Sequence, residues 1–500
     1  MTTMRPLLLR NASLYGGGSD PVDVIVSAGT VAAILPAGQG SARQVHDLDG
    51  RHVLAGLWDH HVHLTQYALA RRRIDLASAN SAAAVARLVA DAVRDDPPGP
   101  GEPVMGFGFR DALWSDAPHR ALLDEVCPDI PLALASGDLH CVWLNSAGLA
   151  LAGATDHPTG LLREEVVPAV LDAFQRVAVA NIDALVLEAV KRLPERGIVG
   201  VVELENQRNP EVWPARAASA PVRLRIECAV YPDELDWAIA AGLRTGDPLT
   251  ADGLLRMGPL KVITDGSLNT RTAYCDDAYP GLAGAEARGL LLVPPQDLEP
   301  ILRLAHEHGI FATVHAIGDH ANALALDAFA AVGCPGRIEH AQLVRPADFA
   351  RFAQLGIEAS VQPRHAIDDR DVADRHWSGR TDRSFAYASL HTAGARLRLG
   401  SDAPVAPLDP WISLQSAALR TADDRASWHP EQEMSVAAGL DASTPSGARV
   451  TVGMPADLVV VDNDPRTSPP TELGSTPVHA TMIAGSWSWL DGEVLADSGG

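Results

Sequence analysis

Through the middle of the chain, short apolar runs alternate with amphipathic stretches. Eight runs read as buried strands: residues 53–57, 199–204, 222–230, 257–264, 310–314, 337–339, 357–361 and 396–400. Helical patterns lie between several of them. Residues 296–308 place Leu298, Ile301, Leu302 and Ala305 on one stripe and stop at Gly309. Residues 321–332 do the same and stop at Gly333. Strands and helices taking turns predict an α/β fold with a parallel sheet and crossover helices. Eight such turns fit a (β/α)8 barrel of the TIM type.

The two ends of the chain share another texture. Residues 6–14, 22–27 and 31–35 are β-rich and separated by turns, and the pattern returns at 457–462 and 480–484, with Gly485 at a turn. This predicts one small composite β-sandwich made from both termini, 1–52 and 448–500, flanking a central barrel at 53–447. About 140 residues separate the first two predicted barrel strands, too many for a loop. They hold helical stretches at 81–94 and 181–195 and a β-like run at 132–136. We read an inserted subdomain at about 75–195, after barrel strand one, over the face where barrel active sites form.

Candidate chemistry collects at the predicted strand ends. The first apolar run leads into Asp59-His60-His61-Val62-His63. Side chains alternate along a strand, so His61 and His63 point the same way and can grip one ion. Strand four carries Lys261 in an apolar setting, where an ammonium is costly without a partner. Strand five ends in His315, strand six in His340 and strand eight in Asp402. Taken singly, His315 and His340 read as core histidines and Asp402 as a helix cap. Taken together on one barrel mouth, they read as a metal site. The nitrogen and oxygen donors suit Zn²⁺, Mn²⁺, Fe²⁺ or Co²⁺, with Zn²⁺ the default. Such an ion supplies hydroxide at neutral pH, and Asp402 beside it can accept a proton and pass it to a leaving amine.

Composition narrows the partners. The net charge of −23 argues against nucleic acid and anionic membranes, and its ordinary meaning is solubility. Five scattered cysteines with no Cys-x-x-Cys pair fit a reducing compartment rather than a disulfide framework. No run reaches the length of a membrane span, and the N-terminal apolar run is too short for a signal peptide. The expectation is a cytoplasmic enzyme acting on a small molecule, with a homodimer as the base-rate assembly.

The ordered motifs resemble the amidohydrolase superfamily, and more closely its YtcJ-like branch, which includes N-substituted formamide deformylases. They are Asp59-His60-His61-Val62-His63, Asp138-Leu139-His140 with Asn145-Ser146, and Asp265-Gly266-Ser267-Leu268 with Arg271-Thr272-Ala273. They continue with His315-Ala316-Ile317-Gly318-Asp319, Arg337-Ile338-Glu339-His340-Ala341-Gln342, Gln362-Pro363, Gly400-Ser401-Asp402-Ala403-Pro404 and Gly453-Met454-Pro455-Ala456-Asp457-Leu458.

The resemblance implies a role for each position. His61 and His63 would hold the more buried of two divalent ions. Lys261 would bridge both as a CO₂-derived carbamate. His315 and His340 would hold the second ion, and Asp402 would be both ligand and general base. Asp138, His140 and Asn145 in the insert, with Arg271, Arg380 and Trp114, are the candidate substrate contacts; Trp58 and Trp114 could also line an apolar pocket. The chain departs from the branch at His60, at Asn269-Thr270 and at Phe109-Arg110, and the stretch before Val450 implies a short last barrel helix. The implied activity is hydrolysis of an amide, N-formyl or N-acyl C–N bond. The same ions would also serve esters, cyclic amides or phosphoesters, and a non-catalytic barrel is the remaining reading.

Overall fold

The computed structural model describes residues 6–492 apart from 19, 72, 100, 112–113, 138–140, 164–165 and 181. The chain forms two compact units, Met1–His63 with Val190–Gly500, and Leu64–Ala189.

In the larger unit, eight parallel strands stand side by side in chain order. They are Leu57–Val62, Ile198–Glu203, Arg225–Val230, Leu255–Ile263, Ala312–Ala316, Gly336–His340, Ile357–Val361 and Arg396–Leu399. The ring closes just beyond the last strand. A parallel bridge joins Val62 to Ala403, and the Asp402 amide donates to the His61 carbonyl at 2.7 Å. Gly400 permits this approach: a Cβ there would sit 2.7 Å from the His61 amide nitrogen. The expected barrel is therefore present. Amphipathic helices pack on its outside: Pro295–Glu307 buries Leu298, Leu302 and Ala305, and Asp319–Val332 buries Leu326 and Phe329. The last helix, Val436–Ala442, has only seven residues.

The first barrel strand differs from its predicted position. The apolar run at 53–57 is divided between two sheets. His52–Ala55 pairs with Ser13–Leu14 and with Leu458–Val461 in the terminal sheet, and the barrel strand begins at Leu57. Gly56 marks the crossing, because a Cβ there would lie 2.3 Å from Val199 Cγ1. Hydrophobicity reports burial and not which sheet does the burying, so the run gave no sign of the break. The terminal sheet joins Leu7–Leu14, Val22–Ser27, Thr30–Pro36, Gln44–Asp47 and His52–Ala55 to Leu458–Val461, Val478–Ile483 and Ser486–Leu490. Its core holds Leu9, Val24, Val53, Leu458, Val460 and Met482.

The smaller unit follows barrel strand one in the chain. It has its own five-stranded sheet, ordered Leu161–Arg163, Cys141–Leu144, Leu132–Ser136, Val104–Phe109 and Arg73–Asp75. Helix Ala82–Asp95 packs on it through Val85 and Val89, with Ser81 capping the helix by accepting from the Ala84 amide. All five cysteines are free and buried. Among the described residues, no helix is long and apolar enough to cross a membrane.

Candidate metal centre

Strand geometry delivers the predicted donors to one end of the barrel. His61 is the penultimate residue of strand one and His63 follows its end. Lys261 lies near the end of strand four, His315 near the end of strand five, and His340 closes strand six. Asp402 lies three residues past strand eight. His340 and Asp402 adopt left-handed backbone angles, φ 75° and 58°, which cost such residues about 1–3 kcal/mol and recur at functional sites. Asp402 does not cap the following helix; Asp409 does.

The donors form two clusters that share Asp402. In the first, Asp402 Oδ1 lies 3.3 Å from His61 Nε2 and 3.4 Å from His63 Nε2. A tetrahedral ion with bonds of about 2.0–2.1 Å has ligand–ligand edges of about 3.4 Å, so this spacing fits one ion. In the second, one donor atom from each of His340, His365 and Asp402 lies within 4.8 Å of the others. The His315 and His340 rings meet edge to face at 4.5 Å between centroids, so His315 flanks this cluster. Its Nε2 is turned to the Gly266 carbonyl at 3.3 Å, which leaves Nδ1 as its donor.

Lys261 is 2 % exposed, and its Nζ has no hydrogen-bond partner among the described residues. Burial pushes its ammonium below the ordinary lysine range, and Glu339 and Asp402 restore only part of the loss. An orphaned amine beside this donor set fits a divalent-ion centre in which the lysine itself is modified or coordinated.

Neighbouring groups fix the ring orientations. His61 Nδ1 meets Glu339 Oε2 at 2.7 Å, and Glu339 Oε1 accepts from Thr313 Oγ1 at 2.5 Å. His340 Nδ1 meets Gln362 Oε1 at 2.9 Å. Each contact occupies Nδ1 and leaves Nε2 for the site. Asp59 accepts from the amides of His61 and Ser401, both at 3.0 Å, and so ties strand one to the loop after strand eight; burial raises its pKa to about 6. Asp265 accepts from Ile317, Gly318 and Tyr274, and burial raises it to about 7.

Charge follows the same design. Burial first, then Lys261, lowers His315 to about 3, and burial holds His340 well below the usual imidazole range. Both are neutral, the form that donates to a metal. Burial opposes charge on Asp402, but His61, His63 and His340 hold it well below the carboxylate range.

The expected substrate residues fare differently. Asp138 and His140 lie outside the described residues. Asn145 is buried, and its amide makes four backbone hydrogen bonds, to Leu132, Gly148, Cys127 and Ile130. Its side chain has no capacity left for a substrate. Trp114 packs on Phe109 at 5.7 Å between rings. Trp58 stacks on His60 and lines a cavity with Arg225 and Arg256 at the starts of strands three and four, away from the donor clusters. Arg271 is exposed, and Arg380 sits 3.6 Å from Asp277.

Sequence reasoning gave no role to Glu339, Gln362 or His365. Glu339 stands between Ile338 and His340 in a strand, Gly336–His340, that is buried throughout, and His365 follows Gln362-Pro363 by two residues.

Known proteins share this fold. Residues 44–487 match the model of the amidohydrolase family. Protein LONG AFTER FAR-RED 3 of Arabidopsis thaliana is 30% identical over 442 residues, 81% of this chain and 75% of that protein. N-substituted formamide deformylase of Arthrobacter pascens is 25% identical over 549 aligned residues, 97% of this chain and 98% of that enzyme. Among solved structures, an uncharacterized metal-dependent hydrolase from Pyrococcus horikoshii superposes with a TM-score of 0.70 at 24% identity, covering 93% of this chain and 99% of that one. The chain belongs to the amidohydrolase family.

Proposed function

We propose that this protein is a metal-dependent hydrolase of amide-type C–N bonds in small molecules, with N-formyl and N-acyl amines as its substrate class. One observation carries the reading: two donor clusters meet at Asp402, beside a buried lysine amine that has no hydrogen-bond partner among the described residues. The relation to a formamide deformylase supports the choice of bond.

Bound divalent ions, with Zn²⁺ the first choice, supply Lewis acidity and a water whose pKa falls to about 7. His61, His63 and one oxygen of Asp402 would hold one ion; His340 and His315 would hold the other. Lys261 would react as the neutral amine, its nitrogen adding to CO₂ and losing one proton, to give an anionic carbamate able to bridge both. Asp402 would accept at its carboxylate the proton that the attacking water loses and return it to the leaving nitrogen as the C–N bond breaks, so that the amine departs neutral. The buried floor of Glu339, Thr313 and Gln362 keeps the imidazoles aimed throughout.

Free cysteines support a reducing, cytoplasmic setting, and the charge of −23 supports a small-molecule rather than a nucleic-acid or membrane partner. The chain is proposed to act as a homodimer. The test is turnover of a panel of N-formyl amines, N-acyl amines, cyclic amides, carboxylic esters and phosphoesters by Zn²⁺-loaded protein. Fastest turnover of an N-formyl or N-acyl amine supports the reading. Preference for an ester or phosphoester moves the activity to that bond, and no turnover beside a full metal complement overturns it.

A further inference from the structure

The second cluster contains a histidine with no assigned role. His365 sits on the short helix Pro363–Asp368 that follows barrel strand seven. It is buried, and its Nε2 has no hydrogen-bond partner among the described residues. That nitrogen lies 3.8 Å from Asp402 Oδ2, the oxygen of Asp402 that His61 and His63 do not use. The separation is too long for a hydrogen bond. It is close to the edge of about 3.4 Å that two ligands of one tetrahedral ion would share. The His365 ring stacks on that of His340, with an interplanar angle of 12° and centroids 6.2 Å apart. Because His340 Nδ1 is held by Gln362, its Nε2 is free for a position beside Asp402, next to the His365 ring.

We propose that His365 is a ligand of the second ion, shared with His340 and with Asp402 through Oδ2. This assignment rests on the metal-dependent reading above and adds a donor from strand seven to it. Asp402 would then face both ion positions, Oδ1 toward His61 and His63 and Oδ2 toward His365. The tautomer of His365 decides the point. Gln342 approaches His365 Nδ1 with its amide nitrogen at 3.5 Å, while Gln342 Oε1 has no hydrogen-bond partner among the described residues. Half a turn of that amide lets Oε1 accept Nδ1–H and frees the Nε2 lone pair for the ion. Without the turn, Nε2 carries the proton and His365 is a hydrogen-bond donor.

The test is a Co²⁺ titration of chelator-stripped full-length protein in bicarbonate, following metal content and the visible absorption of the bound ion. Wild type, His365→Ala and His365→Asn are compared. Wild type is expected to take up two ions. Both variants are expected to keep the first ion at unchanged affinity and to bind the second about tenfold or more weakly, with an altered absorption band. Retention of the first ion shows that each variant is folded. Equal second-ion affinity in all three proteins overturns the assignment and makes His365 a hydrogen-bond donor. A wild type that binds one ion also overturns it and leaves the hydrolase reading standing. A wild type that binds none overturns the hydrolase reading itself.

Discussion

Glu339 Oε2 stands 2.7 Å from His61 Nδ1, and both side chains are fully buried. The carboxylate fixes which nitrogen of His61 faces the site and makes that nitrogen a stronger donor. It is itself held by Thr313, so the aim of His61 depends on strands five and six as much as on strand one. Burial opposes charge on Glu339, yet His61 and Lys261 hold it well below the ordinary carboxylate range.

Glu339→Gln preserves the shape and removes the charge. The expected result is a loss of about 10–100-fold in affinity for the first ion, with the fold intact. Competition with a chromophoric chelator reads the affinity. An unchanged constant would reduce Glu339 to a packing residue.

Lys261 gives the second prediction. Its neutral amine is favoured by burial, and the proposed carbamate needs dissolved CO₂. Protein stripped and reloaded in CO₂-free buffer should hold about one ion per chain, and bicarbonate should restore the second. Lys261→Ala should hold one ion in either buffer, with formate recovering part of the second by filling the vacated anionic position. Two ions retained by Lys261→Ala without formate would end the bridging role.

These two residues show what the sequence could carry. Lys261 lies inside an apolar run, so burial of its charge was readable, whereas Glu339 stands in the polar-looking strand Gly336–His340, whose full burial only the structure shows. The ring order of the barrel then made the strand ends comparable, and His61, His63, His315, His340 and Asp402 could be read one by one. His365 was harder, since it lies on a helix after a strand end, where no alternation rule says which way a side chain points. The break at Gly56 was hidden for a different reason: two sheets bury the same run, and an apolar run carries no sheet label. Asn145 shows the converse error. Its motif was visible, but only the structure shows its amide spent on four backbone partners.

Asp402 is the one residue common to both clusters. Asp402→Asn keeps an oxygen toward His61 and His63 while removing the group that accepts and returns the proton. Turnover should fall by about 10²–10⁴-fold, and at least one ion should remain bound. Metal analysis alongside the kinetics separates the two roles. If turnover persists near wild type with the ion in place, another group moves the proton.

The last prediction concerns the barrel below the site. Glu358 on strand seven receives Arg337 from strand six at 2.8 Å and Arg398 from strand eight at 2.8 Å. Arg398 also donates to the carbonyls of Thr444 and Pro445, so this layer ties three strands to the segment after the last helix. Burial raises the Glu358 pKa, but the two guanidinium groups outweigh it and bring the group below its ordinary 4.5. A carboxylate whose pKa is lower folded than unfolded stabilises the fold above the unfolded value. That contribution disappears as pH falls through the lower, folded value. Glu358→Gln leaves two half-paired guanidinium groups in a buried layer, at a cost of about 3–5 kcal/mol. The urea midpoint of the variant should therefore lie well below that of wild type at pH 7. The gap should narrow as pH drops below about 4.5, because protonated Glu358 resembles glutamine. A gap of constant size across that range would show that the charge on Glu358 is not what stabilises this layer.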